Sequence, residues 1–403
     1  MPSNTILTID MITRELMMQL ENALTFTKQV NRNYDSQFGM TGAKIGDVLT
    51  LRLPPLFQGR SGRVVNIEAL TEQSVALTLN TQFGVDLDFT SKDLALSIDD
   101  FSERFLRSAA ATIANKIDFD GMQLYKDVYD TVGTPGTIPA TLLIYLNAGA
   151  LQDEEAVPRD GLRSLVIGPR MQATIVDALK GLFHSSTEIE EQYKQGNMGL
   201  AIGYKWSMDQ NTASHTIGPL GGTPLVNGAG QTGASLVTDG WTAAAAARLN
   251  RGDVFTLANV NAVNPRSRQS TGQLRQFIAT ADVSSDGSGN ATIPISPSII
   301  ITGPYQTVTG SPADNAALTV LGAASVVTPQ GLAFHRDAFV LGVADLPLPQ
   351  GTHQAARISD DQLGISLRMI WDYDAVNDLF ICRTDVLYGW VTARAQLACR
   401  VAS

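Results

Sequence analysis

The chain has 403 residues, of which only 17% are charged, and its formal net charge is −10 at pH 7. Soluble domains usually carry about 25% charged residues, so Ser, Thr, Asn and Gln must supply much of the polar surface. The acidic balance argues against a dedicated nucleic-acid binder, which needs clustered Lys and Arg. A surface poor in charge is typical of proteins that bury themselves against neighbours.

The first residues predict an amphipathic arm. In residues 8–30, Ile12, Leu16, Leu20 and Leu24 recur at steps of four, which indicates a helix with one apolar face. The start lacks the basic segment and the small-residue cleavage site of a signal peptide. No apolar run approaches the ~20 residues that cross a bilayer. We therefore expect a soluble protein made in the cytoplasm.

Short alternating strands are predicted from Gly46 onward, in the stretches VLTLRLP, RVVNIEAL, SVALTLN and FGVDLDF. Between the first two lies FQGRSGR, with two glycines, two arginines and no apolar periodicity. Such a stretch is typical of the exposed tip of a long β-hairpin.

A long helix is predicted over residues 98–129, because apolar residues recur at every fourth position from Phe101 to Ile117. At ~1.5 Å per residue it would span roughly 45 Å, with Gly121 as a possible bend. A mixed pattern follows, with a helix at 139–150, a strand at 163–168, a helix from Pro169 and a strand ending near Trp206.

Between about residues 218 and 324 the composition shifts to Gly, Thr, Ser, Asn and Val, which predicts an inserted all-β module. DGSGN, at 286–290, indicates a hairpin turn inside it. After Pro329 the pattern predicts the strands AFVLGVADLP and ISLRMIWDY, a helix at DAVNDLFICRTDV and a closing strand, YGWVTARAQLACRV.

The triplet His335-Arg336-Asp337 resembles the start of a kinase catalytic loop, but Gly342 stands where that motif needs Asn. The other kinase motifs are absent as well, so we interpret the triplet as polar residues that cap the start of a buried strand, with Arg336 and Asp337 paired locally.

The remaining motifs favour structural interpretations. No two of the four histidines (His184, His215, His335 and His353) have helical zinc spacing. The acidic run of Glu188, Glu190 and Glu191 is typical of a solvated helix face. Asp282, Asp286 and Asn290 have the spacing of calcium ligands, but the rest of an EF-hand loop is missing. Arg251-Gly252-Asp253 is interpreted as a turn before a strand rather than as an adhesion motif. Cys382 and Cys399 are predicted to be buried thiols. We predict no catalytic, cofactor-binding or metal-ligating residue.

The order of parts resembles the major capsid proteins of tailed bacteriophages, which have the Hong Kong ninety-seven fold. Within them it resembles the branch of the Salmonella phage P-twenty-two, whose coat protein carries an inserted I-domain. The resemblance rests on ARLNRGDVFTLANVNAVNPRSRQSTGQLRQFIATADV (247–283), the IPISPSIII run and VTPQGLAFHRDAFVLGVADLPLP.

The resemblance implies an α+β fold with an inserted all-β domain. Its expected segments are an N-terminal arm (1–45), the E-loop with flanking strands (46–96), the P-domain spine helix (97–130), the A-domain and P-domain core (131–217), the I-domain (218–328), and returning P-domain strands with the C-terminal part of the A-domain (329–403).

The implied function is that of a major capsid protein, which assembles into the icosahedral shell around the double-stranded DNA of a tailed phage. Implied partners are copies of the chain in hexamers and pentamers, a scaffolding protein, a portal, DNA bound nonspecifically and, as a further candidate, a decoration protein; no membrane is implied. Assembly is expected in the cytoplasm of the bacterial host, with the product in the virion capsid. No Lys and Asn pair for a covalent cross-link can be identified, so we predict non-covalent assembly.

An isolated two-stranded ribbon is marginal in water, so we expect neighbouring copies to complete the apolar surfaces of the ribbon and of the arm. Phe57, Arg60 and Arg63 at the E-loop tip are the predicted contact residues. Two alternatives stay open from the sequence: a tail or decoration component with a β-rich domain, and an enzyme with an accessory β-module.

Overall fold

The computed structural model describes residues 9–32, 48–59, 62–65, 67–68, 72–90, 107–179, 199–352, 354–360 and 364–403. Its α-helices in these ranges are α1 (Ile9–Ala23), α2 (Arg107–Met122), α3 (Leu142–Glu154) and α4 (Pro169–Leu179). The 3-10 helices are Thr27–Gln29, Gln123–Asp127, Arg336–Ala338 and Ala395–Leu397. No helix in the described ranges is long and apolar enough to span a membrane.

The strands up to residue 249 are β1 (Val48–Leu53), β2 (Gln73–Thr78), β3 (Thr81–Thr90), β4 (Thr131–Val132), β5 (Arg163–Ile167), β6 (Leu200–Ala201), β7 (Tyr204–Met208), β8 (Ser214–Thr216), β9 (Leu225–Val226), β10 (Gly233–Asp239) and β11 (Ala246–Leu249). Those that follow are β12 (Val254–Val263), β13 (Ser270–Ala279), β14 (Val283–Ser285), β15 (Ala291–Ile299), β16 (Leu318–Val320), β17 (Val327–His335), β18 (Phe339–Ala344), β19 (Gln354–Asp360), β20 (Ile365–Asp374), β21 (Leu379–Thr392) and β22 (Ala398–Ala402). The α+β prediction is confirmed.

The chain forms two compact units. The first comprises Met1–Arg52, Ser74–Gly121 and Phe339–Ala393, and the second comprises Leu53–Gln73, Met122–Ala338 and Arg394–Ser403.

In the first unit, β21 pairs with β18, β20 and β3, and β19 pairs with β20. Helix α1 packs on β19 and β20, and its Leu16 and Leu20 are fully buried there. The helical periodicity of the arm is therefore confirmed. The expectation that other copies complete its apolar face is wrong for this helix, because the sheet of its own unit covers that face.

The predicted spine helix ends earlier than expected. Among the described residues, helix α2 covers Arg107–Met122 and gives way to a 3-10 helix after Met122, before the predicted end at residue 129. These 16 residues span about 24 Å. Gly121 allows two aromatic side chains to pack closely against the helix, because a Cβ at this position would lie 2.7 Å from the Phe26 ring and 2.8 Å from Trp390. Positions 98–106 of the predicted helix lie outside the described residues.

The helix predicted at DAVNDLFICRTDV is wrong. Residues 375–378 instead form a turn between the paired strands β20 and β21, stabilised by the Asp374 side chain, which accepts from the Val376 amide at 2.8 Å. Asp378 closes the turn with a φ of 51°. Long-range pairing of β21 with both β3 and β20 overrides the local helical spacing.

The second unit contains a seven-stranded sheet that includes β22, β17, β5 and β7. Helix α3 packs on β22 through buried Tyr145, Ala148 and Gln152. Gln152 receives a hydrogen bond of 2.6 Å from the Tyr204 hydroxyl and donates one of 2.9 Å to the Ala333 carbonyl. The described parts of the α/β segment 139–208 thus have the helices and strands that their sequence pattern predicts; residues 180–198 lie outside the described residues.

The inserted segment builds its own core around a six-stranded sheet, ordered β16-β12-β13-β15-β10-β9. Phe255 and Phe277, which stack with ring centroids 6.0 Å apart, lie at its centre. The DGSGN turn forms, with the Asp286 amide bonded to the Asn290 carbonyl at 2.8 Å. The flanking strands do not make the predicted hairpin, because β14 pairs with β11 whereas β15 pairs with β10 and β13.

A buried carboxylate in the first unit makes stability depend on pH. Asp385 is 2% exposed and faces Gly84 across the β3–β21 pair, where a Cβ would lie 2.7 Å from its oxygen. Burial opposes its ionisation, but hydrogen bonds from Arg383 and Arg368 outweigh burial and lower the pKa of Asp385. Its contribution to stability is therefore present above the ordinary carboxyl pKa of about 4 and is lost as the pH falls through the lower, folded-state value.

We expect Asp385→Asn to lower the free energy of unfolding at pH 7 by about 1–3 kcal/mol, because the charged hydrogen bonds are lost. The difference from the wild type should shrink below about pH 4. Urea unfolding at both pH values measures it. Asp88→Asn on β3, where the side chain is exposed, is the control. An equal loss at both pH values would contradict the role of the charge.

Candidate assembly surface

The segment expected to form the E-loop begins as a two-stranded ribbon, because β1 pairs with β2. The alternation of β1 places Leu49 and Leu51 on its partly buried face, and both pack against Leu77 and Leu79, which are buried. One face of the ribbon base is therefore anchored in its own chain. The other face of β1 is exposed, so the expectation that other copies cover the ribbon stays a prediction there.

Beyond the ribbon, the Glu68 carboxylate connects two described parts of the loop. Glu68 accepts hydrogen bonds from the Gln58 amide at 2.7 Å and the Gly59 amide at 2.6 Å. Gly59 and Gly62 have φ angles of 74° and 98°, which glycine adopts without strain. The strand predicted at RVVNIEAL is wrong for the described residues 63–65, 67 and 68, which lie in no strand.

The tip of the loop exposes four apolar side chains. The exposed fraction is 90% for Ile67, 83% for Val64, 71% for Val65 and 59% for Phe57. We call these four residues the tip patch. Single exposed apolar residues are ordinary, but a group of this kind on one loop is typical of an interaction site.

Two of the three predicted contact residues, Phe57 and Arg63, lie exposed in this loop; Arg60 lies outside the described residues. In the part of the chain that the structure describes, Arg63 has no ion-pair partner. The sequence reasoning missed Val64, Val65 and Ile67, because it assigned them to a half-buried strand. The sequence did contain a signal for these residues, since all three are apolar and lie close to two glycines.

Capsid structures resemble this chain at low sequence identity. The capsid of Ralstonia phage GP4 is 7% identical with a TM-score of 0.47, covering 94% of this chain and 88% of that one. A structure from Mycobacterium phage Che8 is 12% identical with a TM-score of 0.46, covering 94% and 90%. The mature capsid of bacteriophage PhiM1 is 12% identical with a TM-score of 0.40, covering 92% and 86%. A search of curated proteins gave no match.

The sequence model of one family, P22 coat protein (gene protein 5), matches residues 1–399. The chain belongs to the P22 coat protein family. It is therefore a major capsid protein, the subunit of an icosahedral phage shell and a component of the virion. The alternative of a tail or decoration component is set aside by a match that spans nearly the whole coat protein.

In this coat protein the His335-Arg336-Asp337 triplet lies at the junction of two strands. His335 ends β17, and its Nε2 lies 3.1 Å from the Asp160 carboxylate. Its Nδ1 accepts a hydrogen bond of 3.2 Å from the Asp337 amide, and a 3-10 turn leads into β18. The interpretation as polar residues at the start of a buried strand is confirmed, whereas the pairing of Arg336 with Asp337 stays a prediction.

Arg251-Gly252-Asp253 forms a turn of the coat protein in which Gly252 and Asp253 are buried. Asp253 is 1% exposed and accepts hydrogen bonds from the amides of Gly218 at 3.0 Å and Asn250 at 2.8 Å. Its other oxygen lies 2.7 Å from His215 Nε2. The carboxylate that an adhesion motif would present is therefore enclosed, as the turn interpretation requires.

The two aspartates with calcium-like spacing accept hydrogen bonds from main-chain amides. Asp286 accepts hydrogen bonds of 2.8 Å from the amides of Ser288 and Asn290, and Asp282 accepts one of 2.7 Å from the Arg251 amide. No group of three potential metal ligands occurs among the described residues. His184, His353 and the acidic run lie outside them: Glu188, Glu190 and Glu191.

Both cysteines are free and buried, as predicted. Burial raises the pKa of the Cys382 thiol to about 12 and the pKa of Cys399 well above its ordinary value. Both are therefore neutral, unreactive thiols at physiological pH.

Proposed function

We propose that this coat protein assembles without catalysis or covalent cross-links, and that the E-loop tip of one copy docks on a neighbouring copy within hexamers and pentamers. The observation that carries the proposal is the tip patch, four exposed apolar side chains beyond an anchored ribbon. Fully burying an apolar side chain of this size stabilises an interface by about 1.5–3 kcal/mol. A head-to-tail contact repeated around an axis closes a ring, as a capsomer requires.

Arg63 gives this contact a polar rim. It stands exposed beside Val64 and is available to an acidic group on the neighbouring copy. Rim charges set register and association rate more than affinity. We propose the same role for Arg60, by its place in the sequence.

The other segments of the chain also have proposed structural roles in the shell. We propose that residues 97–130 act as the P-domain spine, 131–217 with part of 329–403 as the A-domain near capsomer centres, and 218–328 as the I-domain. The separate hydrophobic core of the inserted segment supports the last assignment. Proposed partners are a scaffolding protein and the portal, with a decoration protein as a further candidate, and assembly is proposed in the host bacterial cytoplasm. Packaged double-stranded DNA would touch the inner face of the shell only nonspecifically, consistent with the net charge of −10, which argues against dedicated DNA binding.

The test is Ile67→Asp in the full chain. We expect shell yield to fall roughly tenfold or more, because each contact would bury an unpaired carboxylate. The thermal unfolding of the unassembled subunit should not change, since Ile67 is 90% exposed there. Sedimentation velocity and electron microscopy measure the shells.

Ile67→Val is the matched control, since it keeps an apolar side chain at the same place and should assemble. Unchanged shell yield for Ile67→Asp would show that the tip patch is not an assembly contact.

A further inference from the structure

Several hydrogen bonds stabilise the turn that joins β12 and β13 in the inserted domain. The Asn264 side-chain oxygen accepts hydrogen bonds from the amides of Arg266 at 2.9 Å and Ser267 at 3.0 Å. The Arg268 amide donates to the Asn264 carbonyl at 2.8 Å, and Arg268 adopts a φ of 55°. Left-handed backbone at a bulky residue costs free energy and persists where the surroundings enforce it.

This turn is tied to the core of the second unit. The Asn264 side-chain amide donates a hydrogen bond of 2.7 Å to the Glu154 carbonyl, at the last residue of α3. The free carbonyls at a helix C-terminus are ready acceptors for such a donor. The direction in which Arg268 projects is therefore set from both its own turn and the helix.

The Arg268 guanidinium donates hydrogen bonds to main-chain carbonyls of the E-loop. Its Nη2 donates to the Phe57 carbonyl at 2.7 Å, and its Nη1 lies at the limit of bonding, 3.5 Å from the Gln58 carbonyl. Its Nε donates to the Gly303 carbonyl at 3.3 Å within the inserted domain. Nearby, the Leu56 amide lies 3.4 Å from the Tyr305 hydroxyl. The planar fork of arginine suits several acceptors at once, which the point charge of lysine does not.

We infer that Arg268 clamps the E-loop to the inserted domain of the same copy, so that the inserted domain positions the tip patch before assembly. Residues 53–73 group with the inserted domain in one compact unit, in agreement with this clamp. Holding a loop in its binding orientation reduces the ordering cost of association. The effect on assembly rests on the proposed function, whereas the clamp itself does not.

Trypsin tests the clamp in the unassembled full-length subunit, because Arg60 and Arg63 supply cleavage sites in the loop. We expect Arg268→Ala to speed cleavage at these two sites roughly tenfold, since a charge-assisted hydrogen bond is lost. Arg266→Ala is the matched control: it lies exposed in the same turn, also removes one trypsin site and should cleave like the wild type. Mass spectrometry assigns the cleaved bonds.

Cleavage of Arg268→Ala at the wild-type rate would overturn the clamp. So would an equal increase at sites throughout the chain together with a lower Tm, because the cause would then be global unfolding. If the alanine variant does not fold, Tyr305→Phe replaces it and should speed cleavage by a smaller factor; no change would overturn the proposal. Slower shell formation by Arg268→Ala would extend the result to assembly. Unchanged assembly by Ile67→Asp would instead refute the proposed interface and leave the trypsin result standing.

Discussion

Replacing Arg275 with alanine is expected to lower the free energy of unfolding by about 3–5 kcal/mol, because it leaves a buried carboxylate without its partner. Arg275 lies on β13 of the inserted domain and forms an ion pair with Glu155, which follows α3. Their side chains are only 3% and 7% exposed. The guanidinium also stacks over the Tyr129 ring, 4.4 Å from its centroid. Arg275, like Asn264, thus links the inserted domain to the end of α3.

The Arg275 guanidinium stays protonated in this environment. Burial favours its neutral form, but the nearby Glu155, Tyr129 and Asp130 hold the pKa of Arg275 above its ordinary value. Burial raises the pKa of Asp130 well above its usual range, which favours its neutral form. Glu155 is therefore the principal counter-charge, and Arg275→Ala should expose the full cost of burying that carboxylate.

Arg251→Ala is the control for an exposed pair in the same unit. Arg251 and Asp127 lie 2.8 Å apart with side chains 52% and 34% exposed, and such pairs contribute roughly 0–1 kcal/mol. Urea unfolding of both variants gives the comparison. Equal, small losses would show that the buried pair does not hold the inserted domain in place.

The sequence predicted those parts of the fold that depend on local pattern. Pro169 opens α4 as expected, because proline suits the first helical turn. The change to Gly, Thr and Val marked the inserted domain, because these residues disfavour helices. Long-range effects were not accessible in the same way. Arg275 and Glu155 are separated by 120 residues, and no local period reports which charge will meet which.

The assembly surface shows the same division. The glycines and arginines near residue 60 indicated an exposed tip, and the described part of the loop is exposed. Val64 and Ile67 are apolar, which indicated that other residues would cover them. A strand with one buried face was the local structure that the sequence predicted for this reason. A pattern cannot state whether the covering residues belong to the same copy or to another. In the arm, Leu16 is covered by its own unit; in the loop, Ile67 is not.

The N-terminal arm depends on one buried carboxylate in α2. Asp118 is 1% exposed and accepts hydrogen bonds from the Thr25 amide at 2.7 Å, the Thr27 amide at 2.9 Å and the Thr27 hydroxyl at 2.5 Å. It also receives the Phe26 amide at 3.3 Å. Three successive amides just after α1 therefore converge on one side chain. The segment they belong to places Phe26 against Trp390, with ring centroids 5.5 Å apart.

We expect Asp118→Ala to lower the free energy of unfolding by about 3 kcal/mol or more, since each buried donor left unsatisfied costs about 1–3 kcal/mol and the losses are not fully additive. Asp118→Asn should cost less, because its amide oxygen still accepts from some of these donors. Hydrogen exchange should speed up at Thr25, Phe26 and Thr27 first, since their amides lose the acceptor directly. Urea unfolding and exchange mass spectrometry measure the two effects.

Lys116→Ala is the matched control on the same helix. Lys116 pairs with Asp120 at 2.7 Å, but its side chain is 38% exposed, so its loss should cost well under about 1 kcal/mol. If Asp118→Ala were no more destabilising than this control, the arm would be held by the apolar contacts of α1 alone. If exchange rose across the whole unit without an early increase at residues 25–27, the carboxylate would support the helix rather than anchor the arm. The expected early, local increase distinguishes a specific anchor from general packing.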